Sequence, residues 1–365
     1  METKNKISVV SKTTSVEPLD LAQQIGCKEL HMIVDQKSGL KGIVAIYSVK
    51  RGPALGGCRF LPYNSTNLAI IDAIYLAKAM ALKAAIHDLP LGGGKAVLIE
   101  DPNFNHEQRI KALRVFGKFL NTLNGRYITA VDSGTSVLDM DQIAKETSFV
   151  TSTSKFSYSV IDPSITTARG VFRGILAAVK FKFAQNNLKN IHVAVQGVGH
   201  VGYNLVKLLH KEAAKISICD KDPKLVIRCK EEFPEVNIIS NLENIYKIDA
   251  DVLSPCALGG VIQKKTIDQL KVKIIAGAAN NQLLLNYDAE YLHQKGIIYA
   301  PDFIINAGGL IHVAGPVMNQ TEQQNLEKVD NIYNVLLNVF RDSVQNNIDT
   351  NKIAYNMALE RLQED

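Results

Sequence analysis

The run Gln196-Gly197-Val198-Gly199-His200-Val201-Gly202 lies between a strand-like stretch, Ile191-His192-Val193-Ala194-Val195, and a helical one from Tyr203 to about Leu209. A G-x-G-x-x-G spacing at a strand-to-helix turn leaves this part of the chain little choice of fold. The first glycine makes the turn, the second lets the backbone approach a ligand, and the third packs helix on strand. A further strand, Ile216-Ser217-Ile218-Cys219, ends at Asp220, 220 − 202 = 18 positions beyond the third glycine. The helix start then offers backbone N–H groups to a diphosphate, and Asp220 offers a carboxylate to an adenosine ribose. A carboxylate suits a free 2′-hydroxyl and repels a 2′-phosphate, so the expected cofactor is NAD rather than NADP. Lys221, next in the chain, is the residue that could pair with a phosphate instead.

The same alternation of short strands and helices continues downstream, with strands at 251–253, 273–276 and 296–299. It predicts a parallel sheet covered on both faces, an α/β Rossmann domain spanning 146–335. Ligands of such sheets gather at the carboxyl ends of the strands. The residues expected to line the cofactor are therefore Gly197, Val198, Gly199, His200, Val201, Gly202 and Asp220, with Cys256 and Ala257 after one strand and Ala279 and Asn280 after another. The neighbouring Asn281 could reach cofactor ribose or substrate.

In the first half, Lys83 and Lys95 stand 95 − 83 = 12 positions apart, joined by an apolar run and three glycines, Gly92, Gly93 and Gly94. Helical spacing of Ile71, Ile74, Tyr75, Leu82 and Ala85 puts Lys83 near the end of an alanine-rich amphipathic helix. The triple glycine is expected to end regular structure, leaving Lys95 at the mouth of a strand over 96–99. Two ammonium groups at one site favour loss of a proton from one of them, and burial acts the same way. One lysine can then serve as a general base while the other holds an anion. Asp132 ends the predicted strand Tyr127–Val131, His87 reads as a surface loop residue, and Asp139 and Asp141 read as a solvated first helical turn.

Composition excludes several classes. The net charge of +5 over 365 residues comes with no basic block or aromatic stripe of the kind a nucleic-acid groove needs. No apolar run approaches a membrane span, and Met1–Val10 lacks the core of a secretory signal. The five cysteines form neither a disulfide framework nor a metal pattern, so a reducing cytoplasmic setting without a bound metal is expected. A polar segment, Thr151–Ser157, reads as the crossover between domains.

Taken together, PALGG at Pro53–Gly57, Lys83, PLGGGKAV at Pro90–Val97, the Asp132 turn, GVGHVG, AANNQL and APDFIINAGG resemble, in kind and order, the amino-acid dehydrogenase family of leucine, valine, phenylalanine and glutamate dehydrogenases. The likeness spans nearly the whole chain, and the branched-chain group lies nearest within the family. It implies a substrate-binding and oligomerisation domain over 1–145, with helices of 336–365 returning to it, and a cleft between this and the Rossmann domain. It also implies a homo-oligomer.

By the same resemblance, Lys83 binds the substrate carboxylate, Lys95 is the catalytic lysine, Asp132 exchanges protons with the substrate amine, and Thr167 approaches the nicotinamide amide. Leu55, Gly56, Gly57, Ala130, Asn281, Leu310 and Val313 contact the substrate. Glutamate enzymes of the family carry a lysine where this chain has Leu55 and a hydroxyl where it has Val313, so an aliphatic amino acid is implied, deaminated to its 2-oxo acid and ammonia. The chain departs from the leucine pattern at Leu310, Val131 and His87-Asp88, which keeps phenylalanine open as a substrate. A hydroxy-acid oxidoreductase and a non-catalytic dinucleotide sensor are the competing readings.

Overall fold

Strand and helix alternate through the residues that the computed structural model describes, 17–155 and 162–363. Met1–Val10 and the end of the crossover segment, Phe156 and Ser157, lie outside them. The chain divides into two units: residues 1–161, 316–319 and 358–365 form the first, and 162–315 with 320–357 the second.

Among the described residues, the first element of the first unit is α1 (Pro18–Ile25), which Gly26 ends in the left-handed conformation. Then follow β1 (Glu29–Asp35), β2 (Leu40–Ser48), β3 (Ala54–Leu61), α2 (Thr66–Ile86), β4 (Gly92–Ile99), α3 (His106–Thr122), β5 (Tyr127–Val131) and α4 (Val137–Ala144). The sheet order is β1-β2-β4-β3-β5. β4 runs antiparallel to β2 and parallel to β3, and β5 is parallel to β3. Ala96 and Leu98 of β4 pack with Phe116, Leu120 and Met140 on the α3 and α4 side. Val97 packs with Ala73, Ile74 and Ala77 of α2 on the other. Because strand side chains alternate, Gly93 and Lys95 share the α2 face with Val97.

That placement corrects two expectations. The triple glycine does not break the chain, since Gly92–Gly94 are the first residues of β4 itself. A Cβ on Gly93 would lie 2.1 Å from the Ala81 backbone nitrogen, so the missing side chain lets α2 press directly onto the strand. Nor is α2 an amphipathic stripe. Its buried residues extend over most of its circumference, while Tyr75, which the spacing placed inward, is 50 % exposed.

The second unit contains α5 (Pro163–Phe183), β6 (His192–Gln196), α6 (His200–Lys211), β7 (Lys215–Cys219), α7 (Pro223–Glu232), β8 (Asn237–Ile238), β9 (Val252–Pro255), α8 (Lys264–Ile267), β10 (Ile274–Ile275), α9 (Tyr287–Gln294), β11 (Ile298–Tyr299), α10 (Asp302–Ile305), α11 (Gly308–Ala314), α12 (Glu322–Asp330) and α13 (Ile332–Asn346). Its strands pair in parallel in the order β11-β10-β9-β6-β7-β8. This is the doubly wound arrangement, with the order reversing at β6.

The units meet in sequence at 161/162 rather than 145/146. Val150 and Thr151 explain the shift, because Val150 bridges to Thr129 of β5 and Thr151 donates its N–H to the Thr129 carbonyl. The helices after 336 also divide differently from expectation. α13 packs against α5 within the second unit, and of α14 (Thr350–Gln363) only the part from Ala358 belongs to the first.

Candidate active site

Lys95 sits inside β4, 5 % exposed, and its Nζ forms an ion pair with Asp132 Oδ2. Asp132 is the residue after β5, and local geometry holds it tightly. Its N–H donates to Thr135 Oγ1 (2.9 Å), whose own O–H donates to the Cys58 carbonyl (2.9 Å). Its Oδ1 accepts from the Ser133 N–H at 2.6 Å. A Cβ on Gly57 would come within 2.6 Å of the Asp132 Cβ and 2.8 Å of Oδ2, so the carboxylate occupies space that only glycine leaves open.

Burial pulls the Lys95 pKa from 10.5 to about 7. The Arg59 guanidinium adds to this, as does Lys83, while Asp72 acts in the opposite direction. The touching Asp132 carboxylate also favours the charged form. A lysine with its proton so loosely held can take one from another group near neutral pH. Lys83 occupies the last turn of α2. Beneath the pair, burial pushes the Cys58 thiol up to about 12, so it stays protonated. Leu55 and Ala130 are buried on β3 and β5, as are Gly56 and Gly57.

In the second unit the glycine turn follows β6. Gly197 has φ +94°, and its N–H donates to the Cys219 carbonyl at 2.8 Å. A Cβ on Gly202 would lie 1.9 Å from the Gly197 carbonyl oxygen, whereas one on Gly199 would meet nothing within 4 Å. Gly199 caps α6 without a side-chain hydrogen bond, which leaves the first N–H groups of the helix to a ligand. This open, uncapped helix start fits a dinucleotide diphosphate.

Asp220 binds the turn itself. Its Oδ2 accepts from the Val198 N–H (2.8 Å) and its Oδ1 from the Asp222 N–H (2.9 Å), so Val198 is committed to Asp220 rather than free for phosphate. His200 and Val201 open α6, with His200 Nδ1 3.4 Å from Asp162 Oδ2.

Around this turn stand the other residues expected there. A Cβ on Gly197 would meet Ala257 at 2.8 Å, and one on Gly202 would meet Cys256 at 3.4 Å. Asn280 is exposed, and its Oδ1 accepts from Asn306 Nδ2 at 2.8 Å; Ala279 before it is buried. Asn281 has φ +51°, and its carbonyl accepts from the Gly260 N–H at 2.7 Å. Thr167 opens the second turn of α5, where its Oγ1 donates to the Pro163 carbonyl at 2.8 Å, against Gly309 of α11. Leu310 is buried and Val313 half-buried on α11.

Lys95, Asp132, Lys83 and Gly57 are thus gathered in the first unit, and the glycine turn with Asp220, Cys256 and Ala257 in the second. Leu310, Val313, Thr167 and the two asparagines belong to the second unit also. His87 is not a loop residue at the surface: it caps α2 and is only 9 % exposed. Asp139 is not merely solvated either, because it closes a capping box with Ser136 and pairs with Arg109 at 3.1 Å. Arg59, Asp72, Thr135 and Asn306 contact or act on these groups, though no motif announced them. Thr135 was visible only as a polar residue three places past Asp132.

Residues 27–149 match the family model for the Glu/Leu/Phe/Val dehydrogenase dimerisation domain, and residues 221–364 the Glutamate/Leucine/Phenylalanine/Valine dehydrogenase model. The chain is 44 % identical to leucine dehydrogenase from Geobacillus stearothermophilus, covering 95 % of this chain and 92 % of that one. It is 40 % identical to phenylalanine dehydrogenase from Caldalkalibacillus thermarum over 90 % of this chain and 89 % of that one. Among solved structures, L-tryptophan dehydrogenase from Nostoc punctiforme superposes with a TM-score of 0.82 at 36 % identity, covering 94 % of this chain and 98 % of that one.

Proposed function

The chain belongs to the glutamate/leucine/phenylalanine/valine dehydrogenase family and is an amino-acid dehydrogenase, and from that premise we propose a reversible, NAD-dependent oxidative deamination of leucine, valine or isoleucine to the 2-oxo acid and ammonia. The observation that carries this reading is the buried Lys95 in contact with Asp132. Keeping an ammonium-forming group out of water is costly, and a general base is what that cost provides.

Bound NAD supplies the acceptor for the hydrogen leaving the substrate Cα with its electron pair. Lys83 holds the α-carboxylate by charge. Asp132 takes a proton from the substrate ammonium, so that the nitrogen lone pair is available as the Cα–H bond breaks. Neutral Lys95 then removes a proton from the water that attacks the iminium carbon. As the carbinolamine collapses, Asp132 returns a proton to the nitrogen, the C–N bond breaks toward it, and the hydroxyl proton released on forming the carbonyl leaves with the ammonia as ammonium. Thr167, Cys256, Ala257, Ala279 and Asn280 are assigned to the cofactor and Asn281 to the substrate.

The residues assigned to the substrate side chain, Leu55, Ala130, Leu310 and Val313, carry no charge, and a second carboxylate among them would lose its water without compensation. Glutamate is therefore excluded. Phenylalanine is disfavoured less strongly, since a change of apolar size alters preference by only about 1–3 kcal/mol. The Asp220 carboxylate, fixed by two backbone N–H groups, favours the free 2′-hydroxyl of NAD. Membership of an amino-acid dehydrogenase family removes the ground for the hydroxy-acid reading.

We also assign a homo-oligomer built through the first unit, and a cytoplasmic location. Among the described residues no helix is long and apolar enough to cross a membrane.

A spectrophotometric panel of NAD and NADP against leucine, valine, isoleucine, phenylalanine and glutamate tests the whole reading. NADH formation with the branched-chain substrates is expected. Equal rates with NADP, or a preference for glutamate, would overturn the corresponding assignment.

A further inference from the structure

Resting on the assignment of Lys95 as the base, we propose that Arg59, clamped by Asp72 and Tyr63, is a positioning residue whose fixed positive charge keeps Lys95 in its proton-accepting form. Cys58 and Phe60 of β3 pack toward α3, so Arg59 between them turns to the α2 face that also carries Lys95. In the register of β3 with β4, Leu55 faces Gly93 and Arg59 faces Val97, which sets Lys95 across from Gly57 and diagonal to Arg59. With neighbouring strands about 4.8 Å apart and a rise of about 3.3 Å per residue, such diagonal positions lie about 8 Å apart, within reach of two long side chains. Gly57 puts no side chain of its own on that face.

Arg59 Nη1 donates to Asp72 Oδ2 at 2.7 Å, and the Tyr63 hydroxyl donates to the same oxygen at 2.5 Å. Arg59 Nε is buried without a hydrogen-bond partner. A guanidinium placed only to bind a carboxylate would use two N–H groups in parallel. Here the contact with Asp72 is through Nη1 and not through the parallel pair, since Nε stays without a partner.

The charged and titratable groups that act on Lys95 come from three elements. β3 contributes Arg59 and Cys58, α2 contributes Asp72 and Lys83, and Asp132 follows β5. The Cys58 thiol remains neutral. Asp72 and Asp132 favour the ammonium, whereas Arg59 and Lys83 favour the free amine. Of those two cations, Lys83 is the one assigned to the substrate carboxylate, which offsets its charge once substrate binds. Arg59 is already paired with Asp72 at 2.7 Å, and an arriving substrate alters neither member of that pair, so its contribution at Lys95 carries over into the loaded site.

The test is the acid limb of kcat/KM against pH for amino-acid oxidation, measured on the full chain and on Arg59→Met, Arg59→Lys and Asp72→Asn. Removing the cation is expected to move the limb to higher pH by about one unit, a tenfold change in the acid dissociation constant. Arg59→Lys should return it toward the wild-type position, and Asp72→Asn should move it the other way. A merely structural Arg59 would lower rates without opposite displacements of the limb. A limb unmoved in Arg59→Met, or moved in the same direction by Asp72→Asn, overturns the proposal. Should Arg59→Met fail to fold, Arg59→Gln read on the same limb decides, because it also removes the cation and keeps a polar side chain at that position. Wild-type protein that forms no NADH with any amino acid would instead bring down the reading of the site on which this rests.

Discussion

The two units build their sites from different materials. In the first, the groups assigned to the chemistry are side chains: a buried lysine, a carboxylate held by Thr135 and Ser133, and an arginine paired with Asp72. In the second, the binding surface is largely backbone, a glycine turn and an uncapped helix start, with Asp220 bracing the turn by accepting from Val198. The difference teaches where each site is vulnerable. A side-chain site fails when a functional group is deleted, whereas a backbone site fails when an atom is added.

Deleting the base gives the largest expected effect. Lys95→Ala should lower kcat by about 10³-fold, within the usual range for loss of general acid–base catalysis. The Kd for NAD, followed by fluorescence titration, should stay within about twofold. A large loss of NAD affinity would break the comparison by making the two sites one.

Adding an atom to the other unit is the converse. Gly202→Ala would place a Cβ 1.9 Å from the Gly197 carbonyl, so the helix must withdraw from the turn. A rise in the NAD Kd of about tenfold or more is expected, because the diphosphate site depends on that close approach. His200→Ala, at the same turn but facing solvent, should change it by less than about twofold. Similar losses from both substitutions would mean that side chains, not backbone, bind there.

Gly57→Ala mixes the two cases, since it adds an atom to the side-chain site. The new Cβ would collide with Asp132 and shift the carboxylate, and displacements of about 1 Å can cost on the order of 10²-fold in rate. A fall in kcat of about 10- to 100-fold with an unchanged NAD Kd would sharpen the distinction. An unchanged kcat would show that Asp132 need not sit where Gly57 lets it.

The same contrast explains what could be read from the sequence. The G-x-G-x-x-G turn was legible because its tightest requirement lies within the motif: Gly202 faces the Gly197 carbonyl. Lys83, Lys95 and Asp132 were legible as motif residues, but their setting was not. Three successive glycines look like a break when considered alone, and it is pairing with β2 and β3, under the close approach of Ala81, that makes them a strand. His87 appears polar and loop-like in the sequence, yet packing at the end of α2 buries it. Arg59 and Asp72 are 72 − 59 = 13 positions apart on different elements, so no periodicity joins them. The fate of α13 turned on which of two apolar faces its own would meet, and a stripe of buried residues does not name its partner.

The smallest effect concerns another long-range partner. Arg361, near the end of α14, donates through Nη1 to the carbonyls of Ala85 (3.2 Å) and Ile86 (2.6 Å), while its own carbonyl accepts from Arg51 Nη1 at 3.1 Å. These are carbonyls of the last turn of α2, in which Lys83 stands; that of Ala85 also accepts from the Asp88 N–H at 2.9 Å. Arg361→Ala removes bonds with a net worth of about 1 kcal/mol each, so a modest fall in Tm is expected. If the cap also holds Lys83 in register, KM for the amino acid should rise about threefold while kcat and the NAD Kd stay near wild type. A fall in Tm with no change in KM would confine Arg361 to stability and leave Lys83 positioned by α2 and the sheet alone.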